Sequence, residues 1–333
     1  MMAFWRWKRP WAWPRELREH GVLGINARNG DYVMWTNPRC YYPRVDDKLQ
    51  TKRICEARQI PVPKTYAIIE RQGDIARFPQ LLGGRQEFVI KPAGGSEGRG
   101  IVVVTASAGD GLTTSGGERI SVPDARYHLS TILSGLYSLG GQPDRAILEQ
   151  RIVKHPVFER IAVEGTPDVR IILYRCVPVM AMVRLPTHAS RGRANLHQGA
   201  VAAGIDLATG RTLGGVCCNR AVAVHPDTQE PIAGIQVPMW DRLLIAAMDL
   251  AEGLELGYLG VDFVLDIRQG PVVLEANARP GLAIQVANRC GLRPRINLID
   301  AEPAEMRRPE RRMELVARLA AISGNHNGQL VEK

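Results

Sequence analysis

Residues 257–281 read GYLGVDFVLDIRQGPVVLEANARPG, and the reading of this stretch decides the fold. Successive side chains of a strand point to opposite faces, so Val261, Phe263 and Leu265 share one face of a first strand and Asp262 takes the other. A second strand is expected to bury Val272 and Leu274 and to turn Glu275 and Asn277 the opposite way. Paired through a four-residue turn, Ile267 to Gly270, the two strands set Asp262 opposite Glu275, with Cβ atoms roughly 5 Å apart. Carboxylates that close repel, which calls for a raised pKa or a divalent cation between them. An all-oxygen set of Asp262, Glu275 and Asn277 suits Mg2+ or Mn2+. The competing reading is a solvated acidic strand face, which leaves Asn277 and the Arg279-Pro280-Gly281 turn unexplained.

Far upstream, residues 87–104 read EFVIKPAGGSEGRGIVVV: a buried strand, a glycine-rich turn and a β-branched strand. Gly94, Gly95, Gly98 and Gly100 let the backbone aim amide protons at an anion, Ser96 offers a further contact, and Lys91 adds a fixed positive charge. The stretch is a candidate phosphate cradle; the plainer alternative is a glycine hairpin with a surface lysine. No GxxxxGK[ST] follows and no helix begins here, which excludes a P-loop or Rossmann site. Gly94 to Gly98 also matches GxSxG, but a hydrolase nucleophile elbow needs a helix after the turn, and Ile101 to Val104 continue as strand. The seven histidines show no HExxH spacing, so a zinc enzyme is not expected.

Around these two hairpins the pattern predicts a helix over Asp46 to Ile60, ended by Pro61 and Pro63, and a strand at Tyr66 to Ile69. A peripheral loop or small hairpin follows at 105–122, then a helix over Tyr127 to Leu139. Strands recur at Arg145–Glu149, Val169–Tyr174 and Val177–Leu185, with helices at Met239–Leu254 and near Glu310–Ala321. The mixture is α+β. A chain of 333 residues exceeds one ordinary core and asks for about two subdomains around a cleft. At 45% hydrophobic and 23% charged it is not collagen, coiled coil or a disordered chain. The formal net charge of +9 favours phosphate-bearing ligands, anionic lipid or nucleic acid. No nucleic-acid recognition motif accompanies it. Six cysteines without CxxC spacing suit a reducing cytoplasm, and no run approaches the roughly 18 apolar residues that span a bilayer.

The layout of residues 46–281 resembles the ATP-grasp superfamily, whose members clasp ATP between two α+β subdomains and mostly join a carboxylate to an amine. It is most similar to the RimK-type glutamate ligases and, within them, to the alpha-L-glutamate ligase-like group associated with a sugar-transfer ATP-grasp class. The strongest marker is Asp262 followed by E-x-N-x-x-P-G, here Glu275, Asn277, Pro280 and Gly281. The run Asn195 to Gly199 looks like the NLHRGG segment of RimK-type enzymes, with Gln198 in place of arginine. The resemblance implies ATP and Mg2+ as cofactors, Lys48 and Lys91 as phosphate lysines, and Glu149, Gln150, Arg151 and Ile152 as the linker whose backbone meets adenine. It also matches Asp168 and Arg170 to a D-x-R strand and Arg184 to a basic residue near the transferred phosphoryl group, and it implies catalytic roles for Arg170, Arg184 and Asn195. Arg279 departs from the small residue usual in that turn and is a candidate for gripping a substrate carboxylate. The expected organisation is a truncated N-terminal region (1–45), an ATP-grasp subdomain with the glycine hairpin (46–152), a second with the metal site (153–300), and a tail helix (301–333).

The expected activity is ATP- and Mg2+-dependent ligation of a small-molecule or peptide carboxylate to an amine through an acylphosphate. Two rivals stand beside it: phosphoryl transfer to a non-carboxylate acceptor by the same ATP residues, and a membrane-associated nucleotide-binding protein without turnover. Residues 1–15 hold Trp5, Trp7, Trp11 and Trp13 interleaved with Arg6, Lys8, Arg9 and Arg15. That mixture suits peripheral contact with the inner face of the membrane and equally the packing of indoles on the body or on a second subunit of an oligomer.

Overall fold

The computed structural model describes residues 12–95, 98–109 and 111–324. The candidate contact Ser96 and the Trp/Arg-rich residues 1–11 lie outside the described residues. Two antiparallel sheets carry the fold. The first contains β1 (Thr65–Ile69), β2 (Phe88–Pro92), β3 (Val102–Ala108), β4 (Gly111–Thr114), β5 (Arg119–Ser121) and β6 (Ala146–Glu149), in the order β1-β6-β2-β3-β4-β5. The second contains β7 (Asp168–Tyr174), β8 (Val177–Leu185), β9 (Val201–Ile205), β10 (Thr212–Cys217), β11 (Arg220–Val222), β12 (Tyr258–Asp266) and β13 (Gly270–Asn277), in the order β11-β10-β9-β8-β7-β12-β13. The glycine-rich stretch is thus the β2–β3 connection, and the acidic stretch is the β12–β13 hairpin.

Several expected elements are displaced. Residues 105–122 take the small-hairpin form rather than that of a loop: β3 runs on to Ala108, and β4 pairs with β5 at the edge of the first sheet. The helix expected over Tyr127–Leu139 is Val122–Leu133, because a start signal lies further upstream. Ser121 Oγ accepts from Asp124 N at 3.2 Å and Asp124 Oδ2 accepts from Ser121 N at 3.0 Å, a reciprocal cap with Pro123 in the first turn. Strands β9 and β10 (VAAGI, TLGGVC) were not expected, since alanine and glycine carry little strand propensity. Their small side chains make room instead: a Cβ at Gly204 would stand 2.8 Å from Asn288 Oδ1.

Each sheet has its own core. Phe78, Phe88, Leu129 and Ile132 pack under the first sheet, the two phenylalanine rings edge to face at 6.1 Å. The second sheet is covered by the helix Trp240–Leu254, which buries Leu243, Leu244, Ala247, Leu250, Ala251 and Leu254 along one face. Another helix, Lys48–Ala57, joins the two halves. It begins at Asp47, whose Oδ1 caps Leu49 N at 3.0 Å, and it packs on Trp240–Leu254 and on β13. At its start Lys48 N donates to Ala93 O at 3.1 Å, and Leu49 packs with Ala93 and Ile147 of the first sheet.

The β12–β13 pairing brings Asp262 opposite Glu275, by a different route from the four-residue turn. Asp266 pairs with Gly270, so the turn has three residues, Ile267 to Gln269. Its floor is Asp266 Oδ1, which accepts from Arg268 N and Gln269 N at 2.8 and 2.9 Å. The register then shifts between Asp262 and Phe263, where Phe263 faces Val273 and Leu274 is the extra residue of a β-bulge. Val272 is fully buried as expected, whereas Val273 and Ala276 join the main core and Leu274 stays half-buried.

The N-terminal segment braces the far end of this hairpin. A wide π-helical turn, Arg28–Val33, directs Arg28, Tyr32 and Val33 inwards. Arg28 Nη1 donates to Pro280 O at 2.6 Å. The Asn37 side chain pairs with both backbone groups of Tyr258, at 2.7 and 2.8 Å, and reaches Ala278 O at 3.2 Å. No helix among the described residues is long and apolar enough to cross a membrane.

Candidate active site

Two buried charge clusters face the region between the sheets. In the first, Lys91 of β2 and Lys52 of the helix Lys48–Ala57 each place Nζ 2.6 Å from one oxygen of Glu149, the last residue of β6. All three residues are at least 95% buried. Burial alone would raise the Glu149 carboxyl, but Lys91 and Lys52 outweigh it and hold it below its ordinary value. The Lys52 ammonium moves down, because its burial outweighs the carboxylate's pull. One negative and two positive charges leave this triad net positive. Lys52 was not foreseen from the sequence; its signal was the i, i+4 spacing from Lys48, which puts both lysines on one helix face.

The second cluster uses four adjacent strands. Cross-strand register sets Asp168 of β7 against Arg184 of β8, and Asp262 of β12 between Arg170 of β7 and Glu275 of β13. Arg184 grips Asp168 with two bonds of 2.5 and 2.7 Å, and Arg170 grips Asp262 with two of 2.6 and 2.5 Å. A third contact, Arg184 Nη2 to Asp262 Oδ2 at 2.9 Å, links the two pairs into one chain, Asp168–Arg184–Asp262–Arg170. Burial would raise the Asp262 carboxyl, yet Arg170 and Arg184 together hold it well below the usual carboxylate range. Burial, only partly offset by Arg184 and reinforced by Asp262, pushes the Asp168 carboxyl up to about 6. Asp262 is therefore the firmly ionised member of the two.

Lys48 connects the clusters. Its Nζ donates to the Gly95 carbonyl at the base of the glycine turn and stands 3.9 Å from Glu275 Oε2. Burial lowers its pKa, against the pull of Glu275. The glycine turn itself is tied at both ends. Gly94 N donates to both Asp144 oxygens at 3.0 Å, and Gly95 bridges to Ser138. Gly98 and Gly100 adopt the left-handed conformation (φ +71° and +73°), and a Cβ at Gly100 would meet the Tyr137 ring at 2.6 Å.

The other expected residues fall around this frame. In the linker, Gln150 N is already bonded to Lys64 O at 2.9 Å, Arg151 pairs with Glu87 at 2.9 Å, and Ile152 is half-buried. Asn195 is used locally, its Oδ1 accepting from His197 N at 3.0 Å. Arg279 is exposed and lies over the Tyr42 ring at 5.1 Å. Neither Asn195 nor Arg279 hydrogen-bonds to the arginine–carboxylate cluster among the described residues. The donor chemistry of Asp262, Glu275 and Asn277 fits a hard divalent cation. Asp262 Oδ1 accepts one bond, from Arg170 Nε, which leaves a lone pair. Glu275, with a third of its side chain exposed, accepts a long 3.4 Å bond from Asn277 Nδ2. No three His, Cys, Asp or Glu side chains among the described residues form a metal site, so the amide oxygen of Asn277 would be needed as a ligand.

A lysine-flanked glycine hairpin on one α+β half, facing an acidic hairpin on the other, is the architecture of an ATP-grasp protein. Residues 27–301 match the sugar-transfer associated ATP-grasp family, and the chain belongs to that family. No curated protein matches it. Among solved structures it is similar to D-alanine–D-alanine ligase from Bacillus anthracis, at 14% identity and a TM-score of 0.42 over 86% of this chain and 70% of that one. D-cycloserine synthetase DcsG follows at 16% identity and a TM-score of 0.41, over 85% of this chain and 73% of that one. The ATP-grasp ligase PsnB complexed with minimal precursor stands at 13% identity and a TM-score of 0.42, over 80% and 63%. The family match carries the assignment; these likenesses are distant.

Proposed function

We propose that the protein is an ATP- and Mg2+-dependent carboxylate–amine ligase that works through an acylphosphate. The observation that carries this reading is Lys48, which reaches from the Gly95 carbonyl to within 3.9 Å of Glu275 and so joins the candidate phosphate cradle to the candidate metal carboxylates. The net positive triad of Lys52, Glu149 and Lys91 suits the polyphosphate, and the backbone of Glu149 to Ile152, apart from Gln150 N on Lys64 O, suits the adenine. Asp262, Glu275 and Asn277 would hold Mg2+, which when bound supplies charge neutralisation to the transferring phosphoryl group. Arg184 would leave Asp262 for the phosphoryl oxygens while keeping Asp168, and Arg170 would keep Asp262 ionised. Lys48 and Lys91 orient the phosphates, so that the carboxylate oxygen of the acid attacks the γ-phosphorus in line and ADP departs. An amine then attacks the acyl carbon and phosphate leaves, without a covalent enzyme nucleophile. Arg279, exposed beside the acidic hairpin, suits the substrate carboxylate.

The test is a screen of acid and amine pairs for ADP release with mass detection of the product, run on wild type and Glu275→Gln. The variant should lose turnover by on the order of 10²–10³-fold or more while staying folded. Near wild-type ADP release in the variant would refute the metal assignment. Hydroxylamine in place of the amine should yield a hydroxamate; ADP release without one would favour phosphoryl transfer to a different acceptor.

A further inference from the structure

Five of the six tryptophans lie within the first 35 residues, and the sixth, Trp240, is a core residue whose Nε1 donates to Leu207 O at 2.9 Å. The described part of the N-terminal segment leaves its large apolar side chains in water: Trp35 is 80% exposed, Met34 72%, Ile25 63% and Trp13 53%. With Leu17 these are five of the thirteen large exposed hydrophobics among the described residues, all within positions 13–35. Met34 and Trp35 directly follow the π-helical turn that sends Tyr32 and Val33 inwards, and Asn37 two residues on is locked into the β12–β13 hairpin. Trp35 is therefore held outwards by a rigid mount rather than left on a loose arm.

We infer that this segment seats the protein on an anionic lipid surface. The first 40 residues hold seven Lys and Arg against three Asp and Glu, a surplus of four in a chain whose total is +9. Arg28 is spent inside the fold on Pro280, while Arg15, Arg18 and Arg39 are exposed, Arg15 beside Glu19 at 2.9 Å. The order of residues decides between lipid and a protein partner. In Trp5-Arg6-Trp7-Lys8 indole and cation alternate residue by residue, with a further cation at Arg9, whereas the core of a protein interface excludes charge. The headgroup layer accepts both at one depth, indole at the interface and cation against lipid phosphate. The inference is independent of the ligase reading.

The experiment is co-sedimentation of the full-length protein with vesicles of phosphatidylcholine alone or mixed with phosphatidylglycerol, at low and high salt. Wild type should bind the anionic vesicles, bind phosphatidylcholine weakly, and lose at least about tenfold in affinity at high salt through screening. Met34→Ser with Trp35→Ser should lower binding at least about fivefold, with circular dichroism and melting temperature unchanged because both side chains are exposed. A measurement that needs no variant is quenching of wild-type tryptophan emission by brominated acyl chains in the anionic vesicles. Equal binding by the double variant, or no quenching, would overturn the inference. So would a wild-type dimer in sedimentation equilibrium that the double substitution dissociates, since the patch would then belong to a second copy.

Discussion

In the six-stranded sheet one carboxylate, Glu149, is shared by two lysines; in the seven-stranded sheet two carboxylates, Asp168 and Asp262, are shared by two arginines. The lysine triad carries an uncancelled positive charge in a buried setting, a state that an incoming polyanion improves. The arginine–carboxylate chain is balanced in charge, and its middle link, Arg184 to Asp262, is the one an incoming anion would exchange. The first arrangement is thus built to receive, and the second to be opened. Ammonium and guanidinium suit these tasks: a lysine is a point charge on a flexible stem, whereas an arginine holds a carboxylate by a planar fork.

The largest effect expected from this contrast is on stability. Asp262→Asn strands Arg170 and Arg184 with a single carboxylate, and breaking a buried ion pair on one side costs about 3–5 kcal/mol. Urea denaturation should show that loss, and a change below about 1 kcal/mol would mean that the chain of ion pairs does not act as one unit. A smaller effect, on binding, separates the two lysines of the triad. Lys52→Met should cancel the surplus charge and weaken ATP binding about tenfold, or roughly 1.4 kcal/mol, with kcat little changed and most of the affinity restored in Lys52→Arg. Lys91→Ala should lower kcat as well. Equal kinetic profiles for the two variants would remove the distinction between a residue that sets the field and one that meets the phosphate.

The smallest effect is on pH dependence and reaches the arginine side through β8. His225 is buried, Nε2 against Pro186 O at 3.1 Å, two residues beyond Arg184, and burial lowers its pKa. The fold therefore holds it neutral. Its contribution to stability is complete above the ordinary histidine value near 6.5 and is lost as pH falls through that value towards the folded-state pKa. Melting temperatures should decline below that point in wild type and lose that component of the slope in His225→Gln.

Much of the site was legible because it depends on alternation within single strands. Asp262, Glu275 and Asn277 could be set on one hairpin, and Lys91 beside a glycine turn, from their spacing alone. The pairing of Asp262 with Glu275 emerged although two details differed: a turn one residue shorter than expected is offset by the bulge at Leu274. Neither is written in residue types, since a bulge follows from strand twist and packing. The Asp168–Arg184 contact and the role of Lys52 were not legible, because each needs a register or a helix position fixed by tertiary structure. Strands β9 and β10 were not legible because their alanines and glycines carry little strand propensity; at Gly204 the absent side chain admits Asn288. The cap at Ser121 and Asp124, by contrast, was written in the sequence as a start signal.

The clamp at Asn37 has a mechanical consequence. Three hydrogen bonds tie the N-terminal segment to Tyr258 and Ala278 at the open end of the acidic hairpin, each worth about 0.5–1.5 kcal/mol net. The hairpin itself is held by the whole β12–β13 ladder and by its core residues, a far stiffer connection. Tension applied through the first residues of the chain would therefore part the segment at Asn37 before it separated Asp262 from Glu275. The clamp behaves as a fuse, yielding after the Arg28–Pro280 contact but before the ladder, and leaving the two carboxylates in register.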